Sequence, residues 1–479
     1  MIPIRILFDK FHNTIVFVCL LAIIVAVPIP LGSNRPYAWF GLEIVVYAVL
    51  AFAIAGKVFQ GGKDSLPPGA RTIMVVLVVW VGLVFLQTVD VPRGLIRALN
   101  PLVFKLQQNL ALISVSPRDT LSIDPGTTYN EFLKYGCYVG VFYLTLATVT
   151  TKNRLVWIVA VIVGAGILEA IFGLYAHVTG FVIFPEQHFG NELRAGTFVN
   201  RNHFANMLTM VLGLVLGLLT SVVNSQNPDG KLKMREFSDL SIGALLLLSA
   251  VALILLAATF TSGSRAPVLF FSMAFGIAII MVRLSGRSGT GEFVLAPLIL
   301  MCMVAAIIFI GFDKSIVRLL DRNLFGGERL LQDVSSLKLL AAVWMTGVGA
   351  GNYRWVFPMF RDDQLRFVTY DHAHNDYLET AIGQGIPVTI ILGVAVFLIL
   401  RRLYRGYKSR RNPLIRGVIF GCLLSVIFML LHATVEFNFQ IPANTVYFLV
   451  IAATGIAACR IDRQNRRLHR SREDPEKLE

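Results

Sequence analysis

The chain has 479 residues, of which 56% are hydrophobic and only 15% charged, where a soluble domain would carry about a quarter charged. That balance excludes an ordinary water-soluble enzyme and points to a polytopic membrane protein. The formal charge of +14 does not point to nucleic acid. No basic patch is interleaved with stacking aromatics outside the apolar runs, and Lys and Arg collect in the cytoplasmic loops of membrane proteins.

A bilayer crossing takes about 20 mostly apolar residues. Runs of that kind fall at 14–31, 37–56, 72–90, 131–150, 155–178, 203–223, 240–262, 266–282, 293–312, 377–400, 415–435 and 441–459. The expected fold class is an all-α polytopic membrane protein of about 12 transmembrane helices. It would form a single bundle over residues 1–460, with a charged, disordered tail at 461–479. The first run follows Arg5 and Lys10 but is too long for a signal peptide and lacks a small-x-small cleavage site. Cys19, Cys137, Cys302, Cys422 and Cys459 all lie in or beside apolar runs. Neither a disulfide framework nor a Cys/His zinc pattern is expected.

Charge sets the orientation. With the N-terminus cytoplasmic, 26 of the 43 Lys and Arg fall on the inside, and eight of the rest sit in the single long loop 313–376. Long loops count little, so both termini are expected inside. The outside segments are then 91–130, 179–202 and 313–376. The first carries a helical stripe, Leu95, Leu99, Leu102, Leu106, Leu110 and Ile113, interrupted by Pro101 and suited to the membrane interface. Residues 329–346 carry a similar stripe, Leu330, Val334, Leu337, Ala341 and Trp344. Each stripe fits a lid packed on the bundle as well as it fits a direct functional part.

Chemistry has few places to reside. The second outside loop, FPEQHFGNELRAGTFVNRNHFAN, sets Arg194 and Arg201 above an apolar run that Asn202 could cap. A short turn, TSGSRAP, holds Arg265 between two runs. Alone, Arg265 would be a snorkelling interface residue. Three arginines on one face suit a phosphate-bearing lipid, because planar guanidinium groups bind phosphate in bidentate fashion. The third loop supplies His372 and His374, flanked by Asp371 and Asp376. Without further ligands at recognisable spacing this is a poor metal site, and a neutral imidazole is a ready base near pH 7. The GVGAGN run, Gly347 to Asn352, lacks the dinucleotide-binding spacing and is better read as a turn that lets backbone approach a ligand.

RAGTFVNRNHFAN, SGSRAP, GVGAGNYRWVFP and AHNDYLETAIGQGIP, in that order, resemble the O-antigen ligase and O-antigen polymerase superfamily of bacterial inner membranes. The resemblance runs from about Arg194 to about Pro387. It implies a metal-independent, inverting glycosyltransferase that uses an undecaprenyl-diphosphate-linked glycan on the periplasmic side and needs no cofactor. It further implies that Arg194 and Arg265 hold the diphosphate, with Arg201 beside them, and that His374 activates the acceptor hydroxyl. Asn200, Asn375, Asp376 and Gly351 are the expected supporting residues.

The ligase pattern is met by His374, Asn375 and Gly385, but Val388 stands where that branch often has another Gly. With the FVNRNHF wording and the long 91–130 segment, this favours a polymerase of O-antigen or exopolysaccharide repeats over a ligase to lipid A core. Expected partners are the lipid-linked oligosaccharide donor, a glycan or lipid A core acceptor, the bilayer, and chain-length regulator and flippase proteins. The rival class is a transporter of the same lipid-linked sugars. Glu43, Glu169, Glu379, Glu436 and His432 are its candidate intramembrane groups, but most lie near span ends and no internal repeat is visible.

Overall fold

A computed structural model describes residues 4–59, 66, 68–112, 118–184, 195–226, 238–286, 291 and 328–473. Among these the chain is helical, with one isolated antiparallel bridge, Asp90 to Thr120. In chain order the helices are α1 (Ile4–Ala26), α2 (Pro36–Phe59), α3 (Pro68–Leu86), α4 (Arg93–Leu99), α5 (Pro101–Ala111), α6 (Pro125–Thr148), α7 (Lys152–Thr179) and α8 (Arg201–Gln226). They continue with α9 (Asp239–Thr261), α10 (Ala266–Leu284), α11 (Glu328–Val343), α12 (Tyr353–Val356), α13 (Asp376–Gln384), α14 (Ile386–Ser409), α15 (Pro413–His432) and α16 (Pro442–Glu473). Local chemistry explains many boundaries. Asp124, Thr151 and Asn412 cap α6, α7 and α15 with their side-chain oxygens, and Gly180 closes α7 in the left-handed conformation.

Among the described residues nine helices are long and apolar enough to cross a membrane: α2, α3, α7, α8, α9, α10, α14, α15 and α16. The expected span 14–31 is α1, whose apolar part is shorter, Phe11–Ala26. The expected span 131–150 is α6, which buries Lys134 against Glu131 and is too polar to qualify. The expected span 293–312 lies outside the described residues. The expected span 377–400 is divided. Gly385, at φ +83°, separates α13 from α14, and a Cβ there would meet the Met345 carbonyl carbon at 2.8 Å. The crossing helix is therefore α14, and α13 is a short helix above it.

The centre of the bundle is α8 packed against α15. Two glycines on each helix, Gly213 and Gly217 facing Gly417 and Gly421, bring the backbones into contact. A Cβ on Gly217 would lie 2.7 Å from the Gly421 Cα and closer still to the Gly417 carbonyl. Glycine at four-residue spacing is what lets membrane helices approach this closely. Ser425 Oγ donates to the Met210 carbonyl across the seam at 2.6 Å.

A second, smaller apolar cluster joins α4, α5, α11, α12 and α13 through Ile96, Val103, Leu339, Val343, Tyr353, Phe357 and Ile382. The two leucine-rich stripes read from sequence form it only in part, Leu102 and Leu106 packing against it. Leu95, Leu110, Leu330, Val334, Leu337 and Trp344 are exposed, whereas α11 buries Gln332, Ser335, Ser336, Leu339 and Val343. On α11 the packed face mixes small polar residues with Leu339 and Val343, and the stripe residues Leu330, Val334 and Leu337 lie on the exposed face.

Candidate active site

The glycine-rich run joins this cap to the bundle. Asn100 Nδ2 donates to the Gly347 carbonyl at 2.7 Å, and Gln87 Nε2 to the Thr346 carbonyl at 2.7 Å. Ile123 N donates to Val348 O, and Val348 N to Ile382 O. The Asn352 amide donates to Ser122 Oγ at 3.0 Å and Thr128 Oγ1 at 3.1 Å. Gly351 takes φ +80°, and a Cβ there would meet Thr127 Cγ2 at 2.8 Å. Much of the run's backbone hydrogen bonding is thus spent inside the protein, and the close backbone approach is to other helices.

The histidine loop follows. Asn375 caps α13, its Oδ1 accepting from Tyr377 N at 3.1 Å and Leu378 N at 3.2 Å. Glu379 reaches back from the first turn, accepting from Ala373 N at 2.9 Å and His372 Nδ1 at 2.7 Å. Burial alone would push His372 down, but the Glu379 charge and hydrogen bond outweigh it and hold its pKa above the usual value. Asp376 pins the loop to the turn between α15 and α16: its N–H donates to Ala433 O, and its Oδ2 accepts from Phe439 N, each at 2.9 Å. Burial pushes the Asp376 carboxyl well up, against the lowering effect of that N–H. Asn375 and Asp376 are thus the props of the loop.

Between these props His374 is held at φ +51°. That region costs a non-glycine residue of order 1–3 kcal/mol and persists only where the surroundings over-determine it. Its ring stands edge-on to Phe437 with centroids 4.8 Å apart. The same phenyl ring is stacked on His372 at 4.5 Å and meets His203, from the first turn of α8, at 4.6 Å.

Next to Phe437 lies Glu436, whose side chain is fully buried. One carboxylate oxygen, Oε1, accepts from Asn202 Nδ2 at 2.5 Å and from Arg329 Nη2 at 2.8 Å. The other, Oε2, faces His374 Nδ1 at 3.4 Å. Burial would raise this carboxyl, but the His374 hydrogen bond and the charges of His203, His374 and Arg329 pull it down to about 2. Asp333, one turn beyond Arg329 on α11, is pushed up by burial against the lowering charges of Arg329 and His374.

Asn202 also accepts from Ser264 Oγ at 2.7 Å. The FVNRN segment and the SGSR turn are therefore in contact, with Arg201 and Arg265 each one residue from the joining hydrogen bond. Among the described residues neither guanidinium has a protein hydrogen-bond or ion-pair partner, and both are partly exposed. Asn200, rather than Asn202, begins α8: its Oδ1 accepts from Asn202 N at 2.8 Å and its carbonyl from His203 N and Phe204 N. Asn202 is freed to bridge Ser264 and Glu436. Arg194 lies outside the described residues.

Below the loops a buried polar chain runs into the bundle. His203 Nδ1 meets Asn438 Oδ1 at 2.9 Å, Asn438 Nδ2 meets His432 Nδ1 at 3.1 Å, and His432 Nδ1 meets Asn206 Oδ1 at 2.8 Å. Glu436 and His432, weighed as transporter groups, thus belong to the floor beneath His374. Sequence reasoning missed Arg329, Ser264 and His203 and gave Glu436 another role. The signal it had was modest: Glu436 sits in a short polar break between two long apolar runs. Among the described residues no group of three or more His, Cys, Asp or Glu is arranged to hold a metal ion.

Residues 250–393 match a family model described as O-antigen ligase. That stretch contains the SGSR turn, α11, the glycine-rich run and the His374 loop, and it supports the ligase/polymerase superfamily resemblance. No curated protein matches the chain.

Proposed function

We propose that the chain, whose residues 250–393 match a family model described as O-antigen ligase, is a membrane glycosyltransferase acting on an undecaprenyl-diphosphate-linked glycan. The substrate sugar is joined through its anomeric carbon to a diphosphate oxygen. His374 Nε2 takes the proton of an acceptor hydroxyl as that oxygen bonds to the anomeric carbon. The bond to diphosphate breaks with its electron pair on the leaving phosphate. Arg265 and Arg201, with Arg194, receive that growing charge. A single displacement of this kind inverts the anomeric centre, and it needs no metal ion. The active-site face is periplasmic and the protein resides in the inner membrane.

One observation carries the reading. Ser264, Asn202 and Glu436 form one hydrogen-bonded chain that ends at His374, and Arg265 and Arg201, whose guanidinium groups have no protein partner among the described residues, are the chain neighbours of Ser264 and Asn202. A transporter has no need of a base at that point.

The acceptor is proposed to be a second lipid-linked repeat, making the protein a polymerase. A second reading, a ligase to lipid A core, is supported by the match of residues 250–393 to an O-antigen ligase family model. Purified protein given undecaprenyl-diphosphate oligosaccharide distinguishes them. Longer lipid-linked products mark a polymerase, and transfer only when lipid A core is added marks a ligase. Movement of donor without a new glycosidic bond would sink both. In the same assay His374→Ala should lose about 10²–10⁴ in rate while remaining folded, and EDTA should leave the wild type active.

A further inference from the structure

We propose that Glu436 is the positioning residue of His374: it accepts the Nδ1 proton, so that the neutral ring presents an unprotonated Nε2 to the acceptor hydroxyl. This rests on His374 being the base. The geometry of Glu436 leaves it few other roles. Its side chain is fully buried, out of reach of substrate, so it acts through what it touches. Oε1 is filled by Asn202 Nδ2 and Arg329 Nη2, both obligate donors, and Oε2 is turned to His374 Nδ1.

A carboxylate only accepts, so the hydrogen of a neutral His374 must be on Nδ1 for this contact to form. The 3.4 Å separation is long, as such contacts often are without substrate, and tightens when the imidazolium forms. The same carboxylate then stabilises that cation. Because Asn202 also accepts from Ser264 beside Arg265, the group that orients the base is bonded to the segments carrying the diphosphate arginines. One carboxylate sets the spacing between proton acceptor and leaving-group site.

The test is a pH–rate profile of kcat/KM on the purified full-length protein with undecaprenyl-diphosphate oligosaccharide. The charged and titratable groups facing His374 are Glu436 from the α15–α16 turn, Arg329 and Asp333 from α11, His203 from α8 and His372 from its own loop. Removing the Glu436 anion should make protonating the base harder, and removing the Arg329 cation bonded to that carboxylate should make it easier. In Glu436→Gln the acid limb should therefore move to lower pH. The amide can also donate to Nδ1 and select the wrong tautomer, so kcat should fall by about 10²-fold or more with KM little changed. In Arg329→Gln the acid limb should move to higher pH. Glu436→Asp, which keeps the charge, should keep the wild-type limb. It also serves as the readout if Glu436→Gln does not fold.

Opposite shifts in the Gln variants would establish the role, since a purely structural defect lowers rate without moving the limb in a signed way. A folded Glu436→Gln with wild-type kcat and acid limb would overturn it. So would a Glu436→Asp whose limb moves down as if the charge were gone. His374→Ala is assayed alongside. If it stays active, the base reading itself has failed. If it is inactive while Glu436→Gln is normal, only the positioning role has.

Discussion

Gly217→Ala adds one methyl group at the contact between α8 and α15. The new Cβ would sit 2.7 Å from the Gly421 Cα, against an ordinary carbon contact of about 3.5–4.0 Å. The obstruction is backbone, so no side-chain rotation relieves it, and the helices must part by about 1 Å. Overpacking of this kind costs about 1–3 kcal/mol. It more than cancels the gain of up to about 1 kcal/mol that Gly→Ala brings to a helix. If the helices part in parallel, the Asn202–Glu436 bond opens from 2.5 Å to about 3.5 Å, beyond the normal hydrogen-bond range. A misplacement of that size can cost about 10²-fold in rate. Thermal unfolding in detergent and the lipid-linked polymerisation assay read the two effects. Gly243→Ala and Gly393→Ala, where a Cβ meets nothing within 4 Å, are the controls: they should be at least as stable as wild type, by up to about 1 kcal/mol, with unchanged activity. If Gly217→Ala proves as stable and active as those controls, α8 and α15 are not in backbone contact, and the spacing argument fails.

Arg265→Lys should keep its charge yet lose much of the activity, because a point charge does not replace a bidentate fork, and Arg194→Ala should be at least as damaging. Full activity in Arg265→Lys would make that residue an interface anchor. Asp376→Asn tests the buried carboxyl. Its folded pKa lies well above the usual value, so the native state holds a proton that the unfolded chain has lost, and stability falls as pH rises from the ordinary carboxylate value through the raised folded one. The variant keeps an acceptor for Phe439 N–H without that loss. Its thermal midpoint should exceed wild type at neutral pH and converge on it near pH 4, the ordinary carboxylate value; a constant difference across pH would refute the assignment. Reporter fusions after Asp333 and after Arg470 should report the periplasm and the cytoplasm respectively. Cytoplasmic activity of the first would remove the site from the periplasmic face.

Hydropathy made most crossing helices legible, because a run of apolar residues of bilayer length has few other uses. It misplaced the crossing at 377–400 because an average over side chains is blind to the positive φ of Gly385. The stripes on α5 and α11 were visible, but the pattern alone did not tell which side chains pack: Leu102 and Leu106 meet the cap's core, whereas Leu330, Val334 and Leu337 are exposed. At a membrane the apolar face need not be the packed one, since lipid accepts leucine as readily as a core does. Gln332 and Ser336, which look like surface residues, are the buried ones and hydrogen-bond Tyr353. His374, Arg201 and Arg265 could be named as candidates because their types suit the proposed chemistry. Glu436 could not, since the role proposed for it depends on a burial and a partner set drawn from α8, α11 and the His374 loop. None of these is near it in sequence. Asn202 was assigned the cap that Asn200 makes, a two-residue ambiguity that only the hydrogen-bond geometry resolves.

The glycine seam has a consequence for how the protein is made. Helix α8 ends at Gln226 and its partner α15 begins only at Pro413, so at about 5–20 residues per second the ribosome needs on the order of 10–40 s to supply the second half. Throughout that wait the bare backbone at Gly213 and Gly217, together with Asn206, has no permanent neighbour. His374 emerges shortly before α15 and Glu436 after it. The proposed site is thus completed only at the end of synthesis. A chain halted before α15 therefore lacks both the helix that covers the glycine face of α8 and the carboxylate that contacts His374.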